Sequence, residues 1–189
     1  DLIVNYLTLG ELMKTSVFLS YPRPFNDEQE AFIKALKQCM SDRDLEPRTL
    51  GVTDYDFDVP LRAIRRLMLE SNGLITVAFR RTLVEQGSSR PGTSIAFSLT
   101  GKWLTSPYAQ IEPAMAFQIG LPTLILREHG VVPEGILEKG ITGLYMPEFD
   151  LTKPSESYLK SEEWVQLFRR WEHQVATVRE KKGQPPSFF

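Results

Sequence analysis

The chain has 189 residues, 42% hydrophobic and 24% charged, which fits one globular domain able to bury a core without covalent staples. A net charge of −2 gives no global basic field for nucleic acid or anionic lipid, and a single cysteine, Cys39, excludes an internal disulfide framework. These balances point to a reducing, cytoplasmic setting. Residues 1–15 are a leading segment, too short and too interrupted by Asn5, Gly10 and Glu11 to span a membrane, and without the basic flank of a signal peptide. They read as a short leading helix or as the remnant of a longer upstream region.

Val17 to Ser20 is a short apolar run ended by Pro22 and Pro24, the signature of a buried strand. Asn26 to Gln29 opens a helix with the pattern of a capping box, and Phe32, Ile33, Leu36 and Met40 supply its apolar stripe. Leu45 to Leu50 is a second strand, followed by the acidic loop Gly51 to Asp58. Pro60 suits the first turn of a second helix with Leu61, Ile64, Leu67 and Met68 on one face. Gly73 to Phe79 is a continuous apolar strand of the kind covered on both sides. Arg80 to Thr105 is irregular and reads as one long loop. A helix runs from about Glu112 to Ile119, strands over Pro122–Leu126 and Ile141–Met146 follow, and an amphipathic helix begins at Ser161. Its apolar side carries Trp164, Leu167, Phe168, Trp171 and Val175, and the tail from Lys181 reads as loose.

Strands alternating with helices predict a single α/β domain: a doubly wound, mainly parallel, five-stranded sheet of flavodoxin-like type over residues 16–151, with residues 152–189 packed onto it. Such sheets bind ligands beyond the carboxyl ends of their strands. That edge collects Ser20 to Phe25, Gly51 to Asp58 and Arg80 to Glu112.

The chemistry-bearing types are few. His129 and His173 lack partners at metal-ligand spacing, so no metal is expected. Cys39 on its helix reads as a packed apolar residue, and Gly101-Lys102-Trp103 lacks the rest of a phosphate-binding loop. Asp54, Asp56 and Asp58 do not have the spacing of a calcium loop and read as solvated, as do Arg62, Arg65 and Arg66. Glu112 leads an otherwise apolar stretch at the ligand edge. It is either a helix-start acid or a site residue. Pro113 favours a helix that begins near Glu112, with Ser106-Pro107 capping a separate turn.

Ser106, Tyr108, Ala109 and Glu112 follow the S-x-W-C-x-x-E pattern of TIR (Toll/interleukin-1 receptor) domains, with Tyr108 at the usual Trp and Ala109 at the usual Cys. Val17-Phe18-Leu19-Ser20-Tyr21 resembles the first TIR strand, and Gly51 to Pro60 falls at the variable loop after the second. Glu112-x-Ala-x-Ala-x-x-x-Gly120-x-Pro122 also resembles the nucleoside 2-deoxyribosyltransferases. Both resemblances imply that Glu112 acts at the anomeric carbon of a nucleoside.

The TIR resemblance implies an NAD+ nucleosidase of defence or signalling, with NAD+ as substrate rather than cofactor. The nicotinamide of NAD+ already carries a positive charge and needs no acid to leave. One ionised Glu can then stabilise the ribosyl cation or trap it covalently. Tyr21, Phe25, Trp103 and Tyr108 lie near the edge for stacking on a base. Burial accounts for three of them at least as well, whereas Trp103 sits in a polar loop. Arg23, like Arg80 and Arg81, could meet a pyrophosphate or simply be solvated. Ser20 and Ser106 complete the candidate set. The competing readings are a non-catalytic interaction module and, as the second resemblance implies, an N-glycosidase of the nucleoside 2-deoxyribosyltransferase type that exchanges bases on deoxynucleosides. The TIR resemblance implies self-association and a sensor or partner protein, with no role for nucleic acid or membrane.

Overall fold

The computed structural model describes residues 14–143 and 145–181; residues 1–13 of the leading segment and 182–189 of the tail lie outside these, whereas Thr15 already belongs to the first strand and Lys181 to the last helix. In chain order the elements are β1 (Thr15–Ser20), α1 (Asp27–Ser41), β2 (Leu45–Arg48), α2 (Pro60–Leu69), β3 (Leu74–Ala78), the two-residue strands β4 (Thr82–Leu83), β5 (Ser88–Ser89), β6 (Phe97–Ser98) and β7 (Trp103–Leu104), α3 (Tyr108–Gln118), β8 (Thr123–Glu128), a 3-10 turn (Gly135–Leu137), β9 (Glu148–Phe149), α4 (Ser155–Leu159) and α5 (Glu162–Lys181).

Five strands form one sheet in the order β2-β1-β3-β8-β9, and every pairing is parallel. This is the expected doubly wound α/β architecture. Strand periodicity of two assigns each face. Val17, Leu19, Ile75, Val77, Leu124 and Leu126 pack with α1 and α5 in the larger core. Phe18 and Leu74 turn the other way, onto Ile64, Leu67 and Met68 of α2 and Ala116 of α3. Ser20 has the parity of Phe18, so its hydroxyl emerges on the α2–α3 side.

Gly73 is required where β3 enters the sheet. A Cβ there would lie 2.5 Å from Val175 Cγ2 and 2.9 Å from Trp171 Cζ2, while the Trp171 indole N–H donates to the Pro122 carbonyl at 3.1 Å.

Three expectations need correction. Residues 80–105 are not one open loop: β4 pairs with β7 and β5 with β6, making two small antiparallel pairs. The fifth strand is not in Ile141–Met146 but at Glu148–Phe149, where Phe149 is buried and stacks on Phe32 at 4.1 Å. Ile141 is 58% exposed, so an apolar run that resembles a strand lies outside the sheet. Finally, α3 starts at Tyr108 rather than Glu112, with Pro113 inside it. Pro113 lacks the N–H that would have met the Ala109 carbonyl, and its ring crowds that carbonyl, yet the helix continues past it to Gln118.

The capping box is half made. Asn26 Oδ1 accepts from Gln29 N at 2.9 Å, but Gln29 Oε1 accepts from Phe25 N at 3.2 Å, one residue before the cap, while its Nε2 turns inward and donates to the Arg80 carbonyl at 3.0 Å.

Candidate active site

The buried positions of α3 are Ala109, Glu112, Pro113 and Ala116, spaced as one inward stripe. Glu112 is therefore a carboxylate on the core-facing side of a helix, one turn in from its start. Ser106 heads that same helix rather than a separate turn: its Oγ accepts from Tyr108 N at 3.3 Å, and its carbonyl accepts from Ala109 N at 3.0 Å.

Glu112 is 7% exposed. The Ser20 hydroxyl at the end of β1 donates to Glu112 Oε2 and is its one hydrogen-bond partner among the described residues. Burial pushes the Glu112 carboxyl up to about 7, against the pull of the Ser20 hydrogen bond.

The remaining face of the carboxylate opens on a cleft of about 360 Å³. The cleft lies where β1 and β3 send their connections to opposite sides, the usual ligand crevice of this topology. Ser20, Tyr21, Arg23, Ser106, Tyr108 and Glu112 all line it. Thr49, Leu50, Pro60 and Ile64, not singled out as site residues from the sequence, also line the cleft. Their positions after β2 and at the head of α2 were the available signal. Among the described residues, Glu112 is the one carboxylate in the lining, and no histidine shares it.

The arginines divide. Arg23 and Arg81 line the cleft, and neither forms an ion pair among the described residues. Arg80 points elsewhere. Its Nε donates to the His129 carbonyl at 2.6 Å, and its guanidinium lies 5.8 Å from the Trp103 ring centre.

Phe25 and Trp103 do not line the cleft. They face each other beside it, nearly parallel, with ring centres 6.2 Å apart. Trp103 is half-buried against Ala78, Ala109 and Ile125, so packing does explain part of its surface. Tyr21 is held by Lys37, whose Nζ donates to the phenol oxygen at 3.1 Å.

A second buried acid escaped sequence reading. Glu128, at the end of β8, is 4% exposed. Its Oε2 accepts from Gln29 Nε2 at 3.0 Å and from Arg80 N at 2.8 Å, and Arg80 Nε lies 3.7 Å from its other oxygen. Burial raises its carboxyl above the usual range while these donors oppose the shift. The Gln29 position in a capping pattern concealed this second use.

The acidic loop after β2 is not simply solvated. Arg48 pairs with Asp54 and, at 2.8 Å, with Glu70, and Arg66 reaches Asp56 at 2.8 Å. Tyr55 and Phe57 stand out from it into solvent.

Among the described residues, no group of three His, Cys, Asp or Glu is placed to hold a metal ion, and no helix is long and apolar enough to cross a membrane.

No protein-family profile and no curated protein matches the chain. Among solved structures it is similar to a CMP N-glycosidase of Clostridium botulinum, at 15% identity and a TM-score of 0.47, over 82% of this chain and 99% of that one. It is also similar to the TIR domains of the activated Roq1 resistosome, which recognizes the pathogen effector XopQ, at 13% identity and a TM-score of 0.39, over 88% of this chain and 84% of that one.

Proposed function

We propose that the protein cleaves an N-glycosidic bond of a nucleotide, and that the nucleotide is NAD+. The observation that carries this reading is Glu112: a buried carboxylate, held by one hydroxyl, with its free side on a cleft that contains, among the described residues, two unpaired arginines and no second acid. A lone carboxylate suits a base that departs without protonation. The C1′–N bond breaks, its electron pair leaves with nicotinamide, and the pyridinium becomes neutral. The ionised Glu112 stabilises the cation at C1′, or forms a transient ester with it. Water then adds at C1′ and gives up a proton, leaving ADP-ribose. An internal nucleophile in place of water would give a cyclic product.

Chromatography of wild type beside Glu112→Ala tests this. Nicotinamide release by wild type and its loss in the variant are expected. Unchanged release would exclude Glu112, and no release even from concentrated, assembled protein would favour an interaction module.

The raised carboxyl favours a second reading, cleavage of a neutral-base nucleotide or deoxynucleoside, in which protonated Glu112 delivers a proton to the base. The pH profile separates the two. NAD+ cleavage needs the anion, so kcat/KM rises through about pH 7; acid-assisted departure predicts a fall over the same range.

Assembly of copies through the exposed loop after β2, under control of a sensor or partner in defence or signalling, belongs to the same proposal. A size shift on gel filtration with a dinucleotide analogue is its expected sign.

A further inference from the structure

Beside the cleft, Phe25 and Trp103 present an aromatic surface that the chemistry at Glu112 does not use. We propose that this pair is a platform for the second base of a dinucleotide, with Arg23 and Arg81 holding the pyrophosphate between it and Glu112. The proposal rests on the assignment of Glu112 to the ribose carrying the leaving base.

Three observations converge. Phe25 is 56% exposed although it lies nearly parallel to an indole, so one face of the stack remains available. The Trp103 ring is immobilised beforehand: Arg80 lies against it, Arg80 is fixed by Glu128 and the His129 carbonyl, and Trp103 N donates to the Gly130 carbonyl at 3.2 Å. A ring ordered in advance costs little to order on binding.

The third observation is the order along the edge. Glu112 is held by Ser20 at the end of β1, while Trp103 bridges to Val131 just after β8. β3 lies between these two strands, and Ala109, which lines the cleft one turn from Glu112, also packs against Trp103, so the aromatic pair borders the cleft. A dinucleotide with one ribose at Glu112 and its second base on the pair would bring its pyrophosphate to Arg23, two residues before Phe25, and to Arg81, next to Arg80. Both guanidiniums are unpaired among the described residues and match phosphate oxygens in geometry.

Calorimetric titration with ADP-ribose and with ribose 5-phosphate reads the platform without requiring catalysis. Wild type should bind ADP-ribose more tightly than ribose 5-phosphate. Phe25→Ala should weaken ADP-ribose by about tenfold, the scale of one base–aromatic stack, and shrink the difference between the ligands correspondingly. Trp103→Phe keeps a ring and should retain most of the preference, which guards against misreading a folding defect.

Equal losses for both ligands, or no loss for ADP-ribose, would overturn the platform. Phe25-dependent binding without nicotinamide release would leave the platform standing and remove the cleavage reading. Release of nicotinamide with an unaltered KM for NAD+ in Phe25→Ala would do the opposite. Failure of wild type to bind ADP-ribose at millimolar concentration would overturn both.

Discussion

Two glutamates sit at the carboxyl edge of the same sheet, almost equally hidden from water, and the molecule treats them differently. Glu128 is surrounded by donors: a glutamine side chain, a backbone N–H and a guanidinium. They tie the head of α1 and the ends of β3 and β8 into one piece. Glu112 has one hydroxyl and an open cleft. A buried charge with its partners supplied is architecture. A buried charge left short of partners is held at a cost, and it keeps a face free for something that arrives from outside.

Removing each carboxylate should therefore damage different properties. The largest expected effect is on turnover: Glu112→Ala should reduce nicotinamide release by roughly a thousandfold or more, with circular dichroism unchanged. Next, Glu128→Ala should lower unfolding stability by about 3 kcal/mol in denaturant titration, because it strands the Gln29 and Arg80 donors in the interior. If Glu128→Ala abolished turnover in a protein of normal stability, the contrast between the two acids would be broken.

The third effect has the opposite sign. Folding raises the Glu112 carboxyl to about 7 from an ordinary value of 4.5, so the folded state prefers the proton, and stability falls as pH climbs from the lower value to the higher. Glu112→Gln removes that liability. It should stabilise the protein by about 2 kcal/mol at pH 8 and hardly at all at pH 4, as read from melting curves at the two values. Equal melting shifts at both values would mean that the carboxylate is not desolvated.

The smallest effect concerns Ser20. Its hydroxyl favours the anion, so Ser20→Ala should move the rising limb of the pH–rate profile upward. A few-fold loss of kcat/KM at pH 7 should be recovered by pH 9. A loss equal at both values would give Ser20 a substrate contact instead.

Much of the frame was legible because parallel strands buried on both faces are written as unbroken apolar runs, and β1, β3 and β8 all carry one. β9 was not, since two residues beside the rich pattern of Ile141 to Met146 give periodicity nothing to work on. Pro113 misplaced the start of α3 because local propensity argues against proline at that depth. Packing overrides it: Ala109, Glu112, Pro113 and Ala116 make a consistent inward stripe only when the helix begins at Tyr108. The partition of Arg80 from Arg81 could not be read at all. Adjacent residues of one type differ here only in which side of the chain they leave. Glu128 was invisible for a related reason: its partners lie 99 and 48 residues away, and a carboxylate at a strand end carries no local mark of its burial.

At the opposite margin of the sheet, the vacancy at Gly73 admits Trp171 and Val175 of the last helix. That helix is thus a structural wall and not a removable appendage. A shortened version of the protein ending near Leu151 would uncover the entry to β3 and forfeit the indole anchored on Pro122. Tags and fusion partners belong after the final turn of α5, and any side chain grafted at position 73 would act as a wedge, prising the wall from the strands it seals.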